Sequence, residues 1–297
     1  MKNAFGLDIP EMKEILSDQK VESAINLMFQ RVFDYLDVPS DKSKRLIEIT
    51  LKQARESSLI GEYEQKIHKI LKQEGLTKSF PDKLFERTKL IFEQINSHLL
   101  PGSVLDLGCG DGKVGELLSK GGRKVALADV FTHNHISKTG LSFTLFNQGE
   151  TPNFEGKKFD NTLSLYVYHH SDDPIKSLRD AITLTKPGGK IIVLESVYGV
   201  DGSKLEGLQA EKAKIFTELS PNQQIMSNIF FDHFWNRVFM YDDDPSKKIN
   251  VPFNFNTPDG WKTIFEKNGV EQEKIIHLGM DQQMVPEYHT LHILRVK

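Results

Sequence analysis

Along the first third of the chain, apolar residues recur every three to four positions. Val21, Ile25, Met28, Phe29, Val32 and Leu36 form one such stripe, which predicts an amphipathic helix. Pro39-Ser40-Asp41 breaks it and is expected to cap the next helix, with Leu46, Ile49, Leu51 and Ala54 on its apolar side. A further helix is expected over Ile60 to Lys72, stopped at Gly75. Another should start behind a Ser79 cap with Pro81 near its first turn, and bury Leu84, Thr88, Ile91, Phe92, Ile95 and Leu99. Residues 1–99 thus read as an N-terminal helical region, and 100–297 as a core.

From Pro101 the pattern changes to strands near 104–108, 124–129, 142–146, 160–167 and 190–196, with helical segments between them. That alternation predicts an α/β domain: a mainly parallel sheet with helices on both faces. Residues 203–245 interrupt it with a helix-rich insertion. Thr257 caps the next helix, Pro258 opens it and Gly269 ends it. Glu273 to Leu278 and Thr290 to Val296 then read as a final hairpin.

The segment Val104-Leu-Asp-Leu-Gly-Cys-Gly-Asp-Gly112 narrows the chemistry. An apolar strand runs into three alternating glycines, and a helix follows from about Lys113 to Leu118. Glycine there permits positive φ and lets a ligand approach bare backbone. The helix start favours an anionic or carboxylate-bearing ligand. The spacing Gly110-x-Gly112-x-x-Gly115 also fits a dinucleotide fingerprint. Asp106, within the strand, argues against it, because a carboxylate repels a pyrophosphate but suits a cationic, amino-acid-bearing ligand. Asp129, ending the next strand, suits a ribose diol.

Composition bounds the rest. The 297 residues carry a net charge of −3 with the signs interspersed, so no nucleic-acid partner is expected. The single cysteine, Cys109, excludes an intrachain disulfide and suggests a reducing compartment. No signal peptide and no membrane-spanning run is expected, and the localisation expected is cytoplasmic.

The glycine loop, Asp129, Phe159 to His170, the turn Lys186-Pro-Gly-Gly189 and the strand after it resemble, in that order, the class I S-adenosylmethionine-dependent methyltransferases. The resemblance implies a Rossmann-like, doubly wound, seven-stranded sheet of order 3-2-1-4-5-7-6, with S-adenosylmethionine as cofactor. It implies that Gly108, Gly110 and Gly112 approach the methionine part, that Asp106 orients the loop and that Asp129 binds the ribose. The loop after the third strand, with Gln148 and Gly149, would lie at the adenine, where related enzymes usually have an acid. Tyr166 would lie along the cofactor.

Tyr168-His169-His170 resembles the His-His segment of the ubiquinone/menaquinone-type methyltransferases, which makes His169 and His170 candidate general bases. Helix capping or stacking is the plainer alternative for either. An antiparallel last strand would bring Asp281 to His289 to the same edge, so Tyr288 and His289 are candidate acceptor contacts. Within the insertion, His233 and Trp235 sit in an aromatic-rich stretch, Phe230 to Tyr241, expected to serve both as a lid over the acceptor and as packing for the N-terminal helices. No metal-ligand spacing is diagnostic. The acceptor expected is a small, apolar or aromatic metabolite, methylated at O, N or C. A protein methyltransferase and a noncatalytic cofactor-binding module are the alternatives. Cytosine-type chemistry needs a nucleophilic cysteine beyond the fourth strand, and Cys109 is in the glycine loop. The oligomeric state is left open.

Overall fold

The structure, a computed structural model, describes residues 6–76, 80–240, 249 and 251–297. The expected Ser79 cap and Tyr241 lie outside the described residues. Contacts divide the chain into two compact units. One comprises Met1–Lys83, Val197–Phe255 and Gly279–Tyr288; the other comprises Leu84–Ser196, Asn256–Leu278 and His289–Lys297.

The N-terminal helices are α1 (Ile9–Ile15), α2 (Gln19–Tyr35), α3 (Ser40–Glu56), α4 (Ile60–Gln73) and α5 (Pro81–Asn96). Asp8 closes a capping box on α1, and Asp18 accepts from the Lys20 and Val21 amides to start α2. The cap expected from Ser40 or Asp41 does not form: Ser40 is the first residue of α3, and Pro39 before it has no side-chain donor or acceptor. Ile49 is half-buried, whereas Ile47 and Thr50 are buried, which rotates the inner stripe of α3 slightly.

The second unit is built on a seven-stranded sheet of order β3-β2-β1-β4-β5-β7-β6, as expected. In chain order its elements are β1 (Ser103–Leu107), α6 (Lys113–Lys120), β2 (Lys124–Asp129), α7 (Ile136–Thr139), β3 (Ser142–Leu145), β4 (Phe159–Leu165), α8 (Pro174–Leu184) and β5 (Thr185–Ser196). The insertion's helices, α9 (Gly207–Thr217) and α10 (Pro221–Phe234), follow and belong to the first unit. Then come α11 (Pro258–Lys267), β6 (Val270–Gly279) and β7 (His289–Val296).

Strands β1 to β5 are mutually parallel, and β7 runs antiparallel to β5, with His289 opposite Ser196 and Thr290 opposite Glu195. Thr257 Oγ1 accepts from the Gly260 amide to cap α11, as its sequence requires. The apolar face of α5, with Ile91 and Ile95, packs on Val104, Leu163, Ile192 and Leu291. Because α5 feeds β1 through a short turn, it runs back along that strand. Its first turns therefore lie toward the carboxyl ends of the parallel strands, where ligands bind in sheets of this kind.

Candidate active site

Leu107 ends β1, and Gly108, Gly110 and Gly112 follow with φ of +77°, +54° and +75°. A Cβ on Gly108 would stand 2.5 Å from Val167 Cγ2, and one on Gly112 would press on Ile136 and Leu127. Gly110 differs: a Cβ there would meet nothing within 4 Å. The turn is therefore packed behind Gly108 and Gly112 and open at Gly110, a cradle that a ligand can enter.

Asp106 lies beneath this turn. Its Oδ2 is buried with no hydrogen-bond partner among the described residues. Burial, with the Asp129 and Asp111 carboxylates nearby, pushes its pKa up to about 7. The Gly115 amide pulls the other way. A buried carboxylate so weakly matched is costly, and a bound ammonium group offsets that cost. Asp129, at the end of β2, is mostly buried. Its Oδ2 accepts from the Gly110 amide at 2.8 Å and its Oδ1 from the Phe131 amide at 3.1 Å. Burial raises its pKa, and those amides pull it back. Each oxygen keeps a second lone pair for a hydroxyl. A buried carboxyl with an unmatched oxygen, an open backbone cradle and a two-oxygen acceptor fit the ammonium and the diol of S-adenosylmethionine.

Beyond β3, Gln148 is exposed and its amide nitrogen donates to Asp172 Oδ2 at 2.6 Å. Gly149 beside it has φ +82° and is exposed. The loop after β3 is thus tied to the loop after β4 through Gln148.

Tyr166 follows β4 with φ +61°, a strained conformation for a non-glycine residue. Its amide donates to the Leu194 carbonyl. The Arg87 guanidinium, on α5, lies 4.9 Å from its ring centroid, and the His289 ring meets it edge-on at 5.2 Å. His169 is buried, and its Nδ1 lies 2.5 Å from Glu195 Oε2. Glu195 Oε1 accepts the Tyr168 amide at 2.7 Å. Burial pushes Glu195 up to about 8, and burial, with His289 nearby, holds His169 down at about 3. His170 is half-buried, packs on His169 with ring centroids 4.0 Å apart, and is held well below the ordinary histidine range by burial. Neither histidine caps the next helix; Asp173 does, accepting the Lys176 amide.

The remaining candidates divide between the units. His289 stands at the start of β7, in the same unit as His169 and Tyr166. Tyr288, His233 and Trp235 belong to the other unit. Tyr288 is buried against Phe216. His233 Nδ1 accepts the Leu7 amide at 3.0 Å, and its Nε2 lies 3.4 Å from Glu64 Oε1. Trp235 stacks between Phe231 and Phe239. Burial and the neighbouring acids raise the Cys109 thiol pKa, so it stays protonated and is a poor nucleophile.

The family of methyltransferase domains matches residues 77–271, about two thirds of the chain. The chain belongs to that family. Its family and its sheet order are those expected of the class I S-adenosylmethionine-dependent methyltransferases. Over 105 residues this methyltransferase is 31% identical to a tRNA U34 carboxymethyltransferase of Campylobacter curvus, a match covering 32% of this chain and 35% of that protein. Over 96 residues it is 33% identical to a ubiquinone biosynthesis O-methyltransferase of Cereibacter sphaeroides, covering 30% of this chain and 39% of that protein. The chain therefore matches well under half the length of these curated relatives. A solved Burkholderia thailandensis 1,6-didemethyltoxoflavin-N1-methyltransferase aligns over 72% of this chain and 78% of its own, at 13% identity and a TM-score of 0.45. No helix among the described residues is long and apolar enough to cross a membrane.

Glu195 and Arg87 escaped the sequence reading. A glutamate within Ile191-Ile-Val-Leu-Glu-Ser196 was the available signal, because a charge ending an apolar strand at the ligand edge needs a partner. Arg87 gave no such signal; it sits among the polar residues of α5.

Proposed function

We propose that this methyltransferase transfers a methyl group to an O, N or C atom of a small, apolar or aromatic metabolite, with His169 as general base and His170 packed against it. The observation that carries this reading is the buried His169–Glu195 pair at the ligand edge, with Tyr166 and His289 beside it. When bound, the cofactor supplies an electrophilic methyl group on a sulfonium. Asp106 would hold its ammonium, Asp129 its ribose hydroxyls, and the backbone at Gly108, Gly110 and Gly112 its amino-acid end. Gln148 and Gly149 would border the adenine, and Tyr166 would lie along the cofactor. His289 would contribute to acceptor binding. An acceptor that starts protonated must lose that proton as the methyl arrives, and a histidine kept neutral by burial is in the right state to take it.

The match to a tRNA U34 carboxymethyltransferase keeps an RNA acceptor as a second reading. One experiment separates the two. The protein is incubated with methyl-labelled S-adenosylmethionine and an extract of its native cells, and label is followed in the small-molecule, RNA and protein fractions. Label in a small metabolite is expected. Label in RNA or protein alone overturns the acceptor class. His169→Ala should lower turnover by about 10²–10⁴-fold with S-adenosylhomocysteine affinity unchanged; full activity in that variant removes the base.

A further inference from the structure

Glu195 is the buried group that the reading above leaves without a task. It is fully buried at the end of β5, yet a carboxylate is expensive there unless it is matched. Its two oxygens are used differently. Oε1 accepts the Tyr168 amide, so any proton on this carboxyl sits on Oε2. Oε2 faces His169 Nδ1 at 2.5 Å, a distance at which one proton lies between two heavy atoms. The pair therefore has two forms of equal geometry. In one, ionised Glu195 accepts from Nδ1–H, which leaves Nε2 with its lone pair. In the other, protonated Oε2 donates to Nδ1, and Nε2 carries the hydrogen.

We propose that Glu195 and His169 form a proton relay, in which His169 Nε2 takes the acceptor's proton while the Nδ1 proton passes to Glu195 Oε2. The proposal rests on His169 as base and adds Glu195 as the place where the proton is stored. In balance, one acceptor–hydrogen bond is replaced by an acceptor–methyl bond, and the cofactor sulfur keeps the electron pair of its broken S–C bond. The released proton ends on Glu195 and later leaves to solvent. An imidazolium is never held. Where a carboxylate stays acidic beside a histidine, the second proton stays on the ring. Here burial has reversed the order: the histidine is driven down to about 3 and the glutamic acid up to about 8. His289, on β7, lowers the His169 pKa and favours an ionised Glu195. The Val167, Tyr168 and His169 amides also favour its ionised form, which returns the relay to its basic state. His170 and the ring of Tyr166 are the other groups of this unit that face His169.

The test reads the tautomer directly and needs no acceptor. The full chain, with ¹⁵N-labelled histidine and S-adenosylhomocysteine added, is compared with Glu195→Gln at pH 6 and pH 9 by NMR. In the native protein, His169 should carry its hydrogen on Nε2 at pH 6 and on Nδ1 at pH 9, with no imidazolium at either. In Glu195→Gln the tautomer should be the same at both values, because a side-chain amide cannot give up or receive that proton. Chemical shifts elsewhere in β4 and β5 should match the native protein, which shows that the variant is folded; Glu195→Asp, should Gln perturb the strands, is expected to retain the switch. A His169 that forms an imidazolium at pH 6, or keeps one tautomer at both values in the native protein, overturns the relay. A switching tautomer together with full activity in His169→Ala would show that the pair exchanges its proton but removes the base role, and with it the relay to the acceptor.

Discussion

Asp129 accepts the Gly110 amide on one oxygen and the Phe131 amide on the other, so a single side chain shapes the glycine turn and presents itself to a diol. Removing it takes away both. Charge-assisted hydrogen bonds to a ligand contribute about 1.5–3 kcal/mol each, so Asp129→Ala, which loses two, should weaken S-adenosylhomocysteine binding by about 10²–10⁴-fold. Isothermal titration calorimetry measures this; an unchanged affinity would remove the ribose assignment. Asp106 predicts a different pattern. It is a buried acid whose Oδ2 has no partner among the described residues, so Asp106→Asn keeps the shape of the loop and removes the charge that suits an ammonium. That variant should fold, and should lose affinity mainly through the amino-acid end of the ligand.

Phe29, on α2, meets Phe230, Phe231 and Phe234 of α10 with ring centroids 6.2, 6.1 and 4.4 Å away. The insertion thus packs on the N-terminal helices through these rings. Phe29→Ala should cost about 3–5 kcal/mol, seen as a lower urea midpoint for this unit. Trp235→Ala, at a half-buried position, should cost less; equal losses would mean that the two rings share one core. The packing half of the insertion's expected role was legible because aromatic spacing marks a helix face. The strand order was also legible, since ordered motifs carried the resemblance and the central strands β1, β4 and β5 have apolar runs. Element ends were less so: β5 begins at Thr185 rather than at residue 190, because Thr185 already pairs with Phe159, and Lys186-Pro-Gly-Gly189 forms an irregularity before pairing resumes at Lys190 opposite Asn161. Glu195 was missed for a related reason. Its meaning depends on His169, 26 positions away, and no local pattern joins them.

Protons connect the buried site to the stability of the fold. Asp106 and Glu195, with folded pKa values near 7 and 8, bind protons more tightly folded than unfolded, where carboxyl groups titrate near 4; Asp129 is shifted the same way. The stability they contribute is complete below about pH 4 and is lost as pH rises through their folded values. His169 and His292, both lowered to about 3 by burial, act oppositely. Their contribution is present above about pH 6.5 and is lost as pH falls below it. Between about pH 6.5 and 8 the carboxyl groups change most and outweigh the remaining titration of the unfolded-state histidines, so the melting temperature without ligand should fall across that window. S-adenosylhomocysteine should reverse part of this fall, because its ammonium pairs best with an ionised Asp106. At a hundredfold excess over Kd, ligand binding adds about 2.7 kcal/mol at either pH. The comparison is therefore made at fixed ligand concentration, where tighter binding at the higher pH enlarges the shift. Thermal denaturation at pH 6.5 and 8 checks both slopes, with NAD as a control that should change neither. A flat ligand-free profile would mean that these acids titrate alike folded and unfolded. A ligand shift that shrinks with pH would mean that the ammonium does not sit against Asp106.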